Sequence, residues 1–450
     1  MGFSRSPIEH QKMNTDKMIE FFKAGVSSVL PDKLINSVIR LNNDRLTISG
    51  LTFNLNEINS IFVVGAGKAS AFMAKEVESI LGDRITSGHI IVKYEHACPL
   101  KYIKVTEAGH PTPDKNSFAA TKSLTELIDN ADENDLVICL FSGGGSSLMC
   151  DYPETCTEND LAELNKHLVT CGANIHEMNA VRKHLSFVKG GWLAKRIYPA
   201  RCVALLLSDV VGDSLDVIAS GPTAPDSSTF ETAYRVLEQY HLLDKIAENI
   251  TGHINKGVEG QLEETPKQGD MLFESVNNMV IGSNRIALEF VKKMVEDSGI
   301  HTEIISSTVQ DDSCRIAAAI VEESLERLRN MRVGERLCLL YGGETTTLVR
   351  GTGLGGRNQH LALYASKLLR ETKGITILSA GTDGNDGPTD AAGAIVDSEI
   401  WKYAVEQGIN PDKYLDNYDS YHFFEKVGGL IRTGATGTNV MDIIIVLLEK

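Results

Sequence analysis

The sequence predicts an α/β protein: two three-layer α/β/α domains with mainly parallel sheets, a Rossmann-like domain over residues 1–265 and a smaller one over 266–450. Three observations predict it. A chain of 450 residues is too long for one ordinary core. Short, uniformly apolar runs recur along it, each ending in a glycine-rich turn that opens into a helical pattern. Strands apolar on both faces belong to parallel sheets covered by helices on each side. Between two such series lies a polar, mostly helical stretch over residues 227–270, with Gly and Pro breakers near its end, and the domain junction is placed there.

The first series begins with "SIFVV", which leads into "GAGKAS" and then a helix, "AFMAKEVESIL", where Phe72, Met73, Val77 and Leu81 recur at helical spacing. "HIIVK" follows, then "LVICLF" before "SGGGSS", and "CVALLLS" before "DVVGDS". The second series opens with "NMVIG" before a helix that Ser283 or Asn284 would cap, with Ile286, Phe290 and Val291 on one face. "HTEIIS", "RLCLLYGG" and "ITILSAG" are further strands, with helices over 311–330 and 357–371 between them, and "VMDIIIVLLE" is a buried strand.

Composition narrows the function classes. A net charge of −16 argues against a general nucleic-acid or anionic-membrane surface, while an anionic small substrate stays open because a site answers to its local cations. Eight cysteines show no CxxC pair, and several, such as Cys139 and Cys338, sit in apolar runs as reduced core fillers do; a cytoplasmic location is the expectation. The opening "MGFSRSPIEHQ" lacks a signal peptide's apolar stretch, and no run approaches the ~20 apolar residues of a membrane span. A homodimer is left open as the assembly.

In open parallel sheets, ligands bind beyond the carboxyl ends of the strands, which directs attention to the turns. "VVGAGKAS" half-matches two phosphate loops: Ser70 replaces the third glycine of GxGxxG, and the Walker spacing is missing. Lys68 at a helix start opposes the macrodipole, a conflict that a bound anion would remove. "FSGGGSSLM" has three glycines where close approach or positive φ is needed, and its serine hydroxyls complete an anion nest. Asp209 follows a buried strand, as an N-cap or as a general base or Mg²⁺ ligand. "GTDGNDGPTDAAGA" carries Asp383, Asp386 and Asp390, either as Asx-turns or as carboxylates for Mg²⁺ near a phosphate. Arg357 opens a helix after a mobile glycine-rich loop, well placed for a phosphoryl or carboxylate oxygen. Arg182, Lys183, Lys189 and Lys195 form a further cation cluster, and His110 and His184 are structural or minor contacts.

Taken in order, "VVGAGKAS", "EAGHPTPD", "FSGGGSSLM", "NAVRKHLSFVKGGWLA", "LLLSDVVGDSLDVIASGPTAPD", "YGGETTTLV", "GGRNQHLAL" and "SAGTDGNDGPTDAAGA" resemble the class II glycerate 2-kinases, whose C-terminal half is called the MOFRL domain. The resemblance runs from about residue 15 to the C-terminus. It implies ATP-dependent phosphorylation of D-glycerate to 2-phosphoglycerate with Mg²⁺, in a cleft between two α/β domains, with the small molecules D-glycerate and ATP as substrates. Carried over by position, the family's proposed catalytic lysine falls on Lys68 and its arginine on Arg357, and Asp209 would accept or position the C2 hydroxyl proton. Ser142, Gly143, Gly144, Ser146 and Arg182 are the expected substrate contacts. Gly65, Gly67, Gly381, Asp383 and Asp386 are the expected nucleotide contacts, the two aspartates also meeting the metal. An NAD(P)-dependent hydroxypyruvate or glycerate oxidoreductase and a non-catalytic phosphate-ligand regulator are the rival readings; the first needs an acidic ribose reader, and the sequence offers Lys93 there.

Overall fold

The computed structural model describes residues 7–450 along the backbone and side-chain surroundings from Thr15 onward. Most of the polar opening stretch therefore lies outside the described side chains. Two compact units emerge: Pro31–Ile281, and Gly282–Lys450 together with the chain up to Leu30. This division differs from the expected 1–265 and 266–450. The helix Pro7–Ser28 packs on the helix Asn284–Asp297, and Gly25 is small because a Cβ there would sit 2.6 Å from Val291 Cγ2.

The Pro31–Ile281 unit opens with an antiparallel meander, β1 (Ile39–Asn42), β2 (Arg45–Ile48) and β3 (Leu51–Asn54). Its main sheet contains β4 (Ile61–Ala66), β5 (Ser87–Lys93), β6 (Ile103–Ala108), β7 (Leu136–Phe141), β8 (Arg201–Leu207) and β9 (Val276–Gly282). Their order is β6-β5-β4-β7-β8-β9, and β6 through β8 pair in parallel. All six residues of β7 are buried, as expected of a strand covered on both faces. The helix Ser70–Leu81 buries Met73, Val77 and Leu81, whereas Phe72 is exposed and lies off the predicted face.

The second unit also holds a six-stranded sheet: β10 (His301–Val309), β11 (Arg336–Gly343), β12 (Ile375–Gly381), β13 (Gly393–Val396), β14 (Leu430–Ile431) and β15 (Asp442–Glu449), in the order β10-β11-β15-β12-β13-β14. This sheet is mixed, not mainly parallel. Among the described residues, only β10 and β11 pair in parallel; β15 enters between β11 and β12 antiparallel to both. An apolar run such as "IIIVLL" reports burial on both faces and carries no information on direction. The helix Asn284–Asp297 buries Ala287, Leu288, Val291 and Val295, and Phe290 is exposed, so its buried face is rotated from the predicted one. Ser283 makes no capping bond; the Asn284 amide instead donates to the carbonyls of Val440 and Asp442.

Candidate active site

In the Pro31–Ile281 unit, the turns after β4, β7 and β8 meet. Gly65 and Gly67 are required by packing: a Cβ on Gly65 would lie 2.0 Å from the Leu140 carbonyl oxygen, and one on Gly67 2.1 Å from Ser142 Oγ. The turn's N–H groups are also engaged. Gly67 donates to Ile91 O, Lys68 to Gly143 O, Ala69 to Ser142 Oγ and Ser70 to Gly67 O. The expected phosphate cradle at Gly65 and Gly67 is corrected accordingly, since the donors it needs are already used. Ser142 is corrected too: its hydroxyl is buried, accepts from Ala69 N and shares a hydrogen with Ser70 Oγ at 3.0 Å.

The next turn is different. Among the described residues, the N–H groups of Gly143, Gly144 and Ser146 donate to no protein acceptor, and Gly144 sits at φ +82°. Gly145 N donates to Ser142 O, and the closely spaced free N–H groups on either side of it can form an anion nest. Gly143 and Gly144 let three side chains converge: a Cβ at 143 would lie 2.2 Å from Asp209 Oδ2, and one at 144 would lie 2.7 Å from the His110 ring and 3.6 Å from Lys68 Cε. Lys68 makes no ion pair among the described residues. Burial pushes the Asp209 carboxyl up from its ordinary range, and Lys68 pulls it partly back. Burial first, then Lys68, lowers His110 to about 4, so its imidazole is neutral near pH 7. Ser146 shares a hydrogen with Ser220 Oγ at 2.7 Å.

His110, Gly144 and Ser146 line a cavity of about 670 Å³ that extends to Arg182 and Lys189. Arg182 donates through Nε to Asn165 Oδ1 at 2.8 Å and has no carboxylate partner among the described residues. Lys189 is buried and donates to Met149 O. The rest of the cation cluster has structural roles. Lys183 is buried against Asp216 and Asp226 at 3.2 and 3.1 Å, and Lys195 pairs with Glu263. His184, bonded to Ala180 O and Glu264, is structural as expected.

In the second unit, Arg357 opens the helix Arg357–Leu369 and is held by carboxylates. Nε and Nη2 donate to Asp442 at 2.6 and 2.9 Å, and Nη1 pairs with Glu344 at 2.9 Å. Burial would lower the guanidinium's pKa, but Asp442 outweighs it and holds the group firmly protonated. The glycine-rich loop before it is pinned. Gly353 N donates to Asn417 O, Leu354 N to Asp419 Oδ1, and a Cβ on Gly351 would reach 2.4 Å from Asn417 O. Close approach to residues 417–420 accounts for these glycines.

The metal assignment of Asp386 does not fit. Its Oδ1 accepts from Asn358 N and Nδ2, and its Oδ2 from Gln359 N, so the carboxylate caps the helix that Arg357 opens. Burial nevertheless raises it to about 6. Asp383 does fit a metal such as Mg²⁺, which keeps most of its waters: Oδ1 accepts from Asn385 N, and Oδ2 has no partner among the described residues. Gly381 is confined between carboxylates, a Cβ there lying 3.3 Å from Asp383 Oδ1 and 3.4 Å from Asp442 Oδ1. Among the described residues, no three His, Cys, Asp or Glu side chains are grouped to hold a metal by themselves. Asp390 pairs with Arg432.

Asp442 and Glu344, the partners of Arg357, were not among the sequence candidates. Asp442 carries a faint signal, an acid at the head of an otherwise apolar strand. All eight cysteines are free, and among the described residues no helix is long and apolar enough to cross a membrane.

Comparison with known proteins places these features in a family. A family described as a domain of unknown function (DUF4147) matches residues 17–255, and the MOFRL family matches residues 337–442. The D-glycerate 2-kinase of Thermotoga maritima is 41% identical over 435 residues, 96% of this chain and 97% of that one. The glycerate 2-kinase of Pyrococcus horikoshii is 40% identical over 424 residues, 93% and 94% of the two chains. The crystal structure of a Thermotoga maritima glycerate kinase superposes with a TM-score of 0.86 at 39% identity, covering 97% of this chain and 100% of that one. With that similarity running through both units, the chain belongs to the glycerate kinase family that carries a C-terminal MOFRL domain.

Proposed function

We propose that this protein is a D-glycerate 2-kinase, transferring the γ-phosphoryl group of ATP to the C2 hydroxyl. The observation that carries this reading is the pairing of a free nest at Gly143, Gly144 and Ser146 with an unpaired Lys68 beside Asp209. Phosphoryl transfer depends on positioning and charge neutralisation more than on covalent help. The nest and Arg182 hold the glycerate carboxylate. Asp209, made more basic by burial, accepts the C2 hydroxyl proton as that oxygen bonds to the γ-phosphorus. The bond from the γ-phosphorus to the bridging oxygen breaks, and its electron pair leaves with ADP. Lys68 neutralises charge on the group in transfer.

Arg357 is held rigid by Asp442 and Glu344 and offers its remaining N–H groups to a phosphoryl oxygen. Asp383 would hold Mg²⁺, which would neutralise phosphate charge when bound. The eight free cysteines support a cytoplasmic location. The test is ADP release from D-glycerate, ATP and Mg²⁺, with NMR of the product, run beside NADH oxidation with hydroxypyruvate. Glycerate-dependent ADP and a 2-phosphate are expected; NADH loss without ADP overturns the proposal.

A further inference from the structure

The second unit contains a cavity of about 560 Å³, bounded by the loop after β11, the start of the helix Arg357–Leu369 and the segment around Tyr418. Three buried polar atoms on its lining residues have no hydrogen-bond partner: Thr345 Oγ1, His360 Nδ1 and Ser420 Oγ. Buried polar groups are nearly always satisfied, so three unpaired ones on residues that line one cavity leave hydrogen-bonding capacity that a side-chain rotation would turn toward a ligand. The rings of His360 and Tyr418, both at the wall, stack with centroids 4.7 Å apart and planes 12° from parallel. Tyr418 is held at φ +57°, a left-handed conformation that costs a bulky residue energy and clusters at ligand sites.

The charge pattern narrows the ligand. Among the described residues, the only charged side chains on the wall are Glu344 and Arg357, and Arg357 is already paired with Glu344 and Asp442. The helix start, where a phosphate would otherwise sit, is filled by the Asp386 carboxylate. Burial keeps His360 below its ordinary range, and so neutral. Away from Arg357, a flat, uncharged heteroaromatic ring with nitrogen donors and acceptors fits this wall better than a polyanion.

We infer that this cavity takes the purine nucleoside end of the nucleotide, the base lying against the His360–Tyr418 pair with its polar edge toward Thr345, His360 and Ser420. The inference rests on the kinase reading and adds which unit holds the nucleoside. Calorimetry on the full chain with adenosine, ADP and tripolyphosphate tests it, using Thr345→Val and Ser420→Ala. Each variant deletes an unpaired buried hydroxyl, so thermal stability should hold. Adenosine and ADP should each bind about 3- to 10-fold more weakly, the worth of one hydrogen bond. Tripolyphosphate affinity and the KM for D-glycerate should not change, and Thr345→Ser should restore binding.

Wild-type adenosine affinity in both variants, or a parallel loss for tripolyphosphate, overturns the inference. Should a variant unfold, the wild-type chain still decides: adenosine must compete with ADP for one site, and absence of competition overturns the inference. The expected adenosine pattern without glycerate-dependent ADP release upholds the nucleoside site and refutes the kinase reading alone.

Discussion

Replacing Arg357 with alanine removes a bidentate pair to Asp442 at 2.6 and 2.9 Å and a further contact to Glu344 at 2.9 Å. The Asp442 side chain is 3% exposed, so the substitution strands a buried carboxylate, a loss of about 3–5 kcal/mol where no water enters. The Arg357 side chain is 32% exposed and that of Glu344 45%, so water reaches the gap and the Glu344 arm is largely screened. Discounting for both leaves a destabilisation of about 2–3 kcal/mol, or roughly 5–10 °C in the Tm of a unit this size. Differential scanning calorimetry at pH 7 reads it directly. Adding Asp442→Asn should recover part of the loss, because the stranded charge is gone. Steady-state kinetics on the same protein should show kcat down about 10²–10³ if the guanidinium also stabilises charge in the transition state. An unchanged Tm refutes the anchoring argument. A large Tm drop with wild-type kcat leaves Arg357 as a structural ion pair and nothing more.

Lys68→Ala should lower kcat by about 10²–10³ with little change in Tm, since the ammonium makes no ion pair among the described residues. It should also move the acid limb of the kcat/KM profile to higher pH, because Lys68 is what holds the Asp209 carboxyl down against burial. Gly144→Ala places a Cβ 2.7 Å from the His110 ring at φ +82°, so a loss of about 1–2 kcal/mol by urea melts and a raised KM for D-glycerate are expected. Folding holds His110 at about 4 against its ordinary 6.5. The unfolded chain therefore binds the extra proton, and this stabilising contribution, intact above pH 6.5, is lost as pH falls toward 4. His110→Gln should flatten the slope of Tm against pH in that window, and an unchanged slope counts against the assignment. Asp383→Ala should raise the Mg²⁺ concentration needed for half-maximal rate without altering Tm, whereas Asp386→Asn should lower Tm, because whichever way its amide turns the NH2 meets the backbone N–H of Gln359 or of Asn358.

Strands were the most legible part of the sequence, because β4, β7, β8, β11, β12 and β15 are apolar on both faces and each is read from its run alone. Strand direction was not legible: β15 occupies a central position antiparallel to both neighbours, which apolar patterning cannot encode. The β1–β3 meander escaped because its strands are four residues long and half polar, unlike the uniformly apolar runs. At the site, the triple glycine announced a nest correctly in kind. "GAGKAS" misled, because glycines demanded by Leu140 and Ser142 look in sequence like glycines demanded by a phosphate. Asp386 misled for a related reason. A carboxylate capping a helix that begins 29 residues earlier leaves no local trace. His110 was undervalued because its neighbours Gly144 and Lys68 are distant in the chain.

The strand β15, Asp442–Glu449, lies between β11 and β12 and carries Asp442, the residue that fixes Arg357. While the ribosome is still making residues before 440, β11 and β12 therefore have no central strand to join them, and the guanidinium has only Glu344, not Asp442, to orient it. The helix Pro7–Ser28, made first, must likewise wait for its partner Asn284–Asp297. Pro31–Ile281 can close its parallel sheet much earlier in translation, so the half that carries Lys68 and Asp209 should mature before the half that carries Arg357.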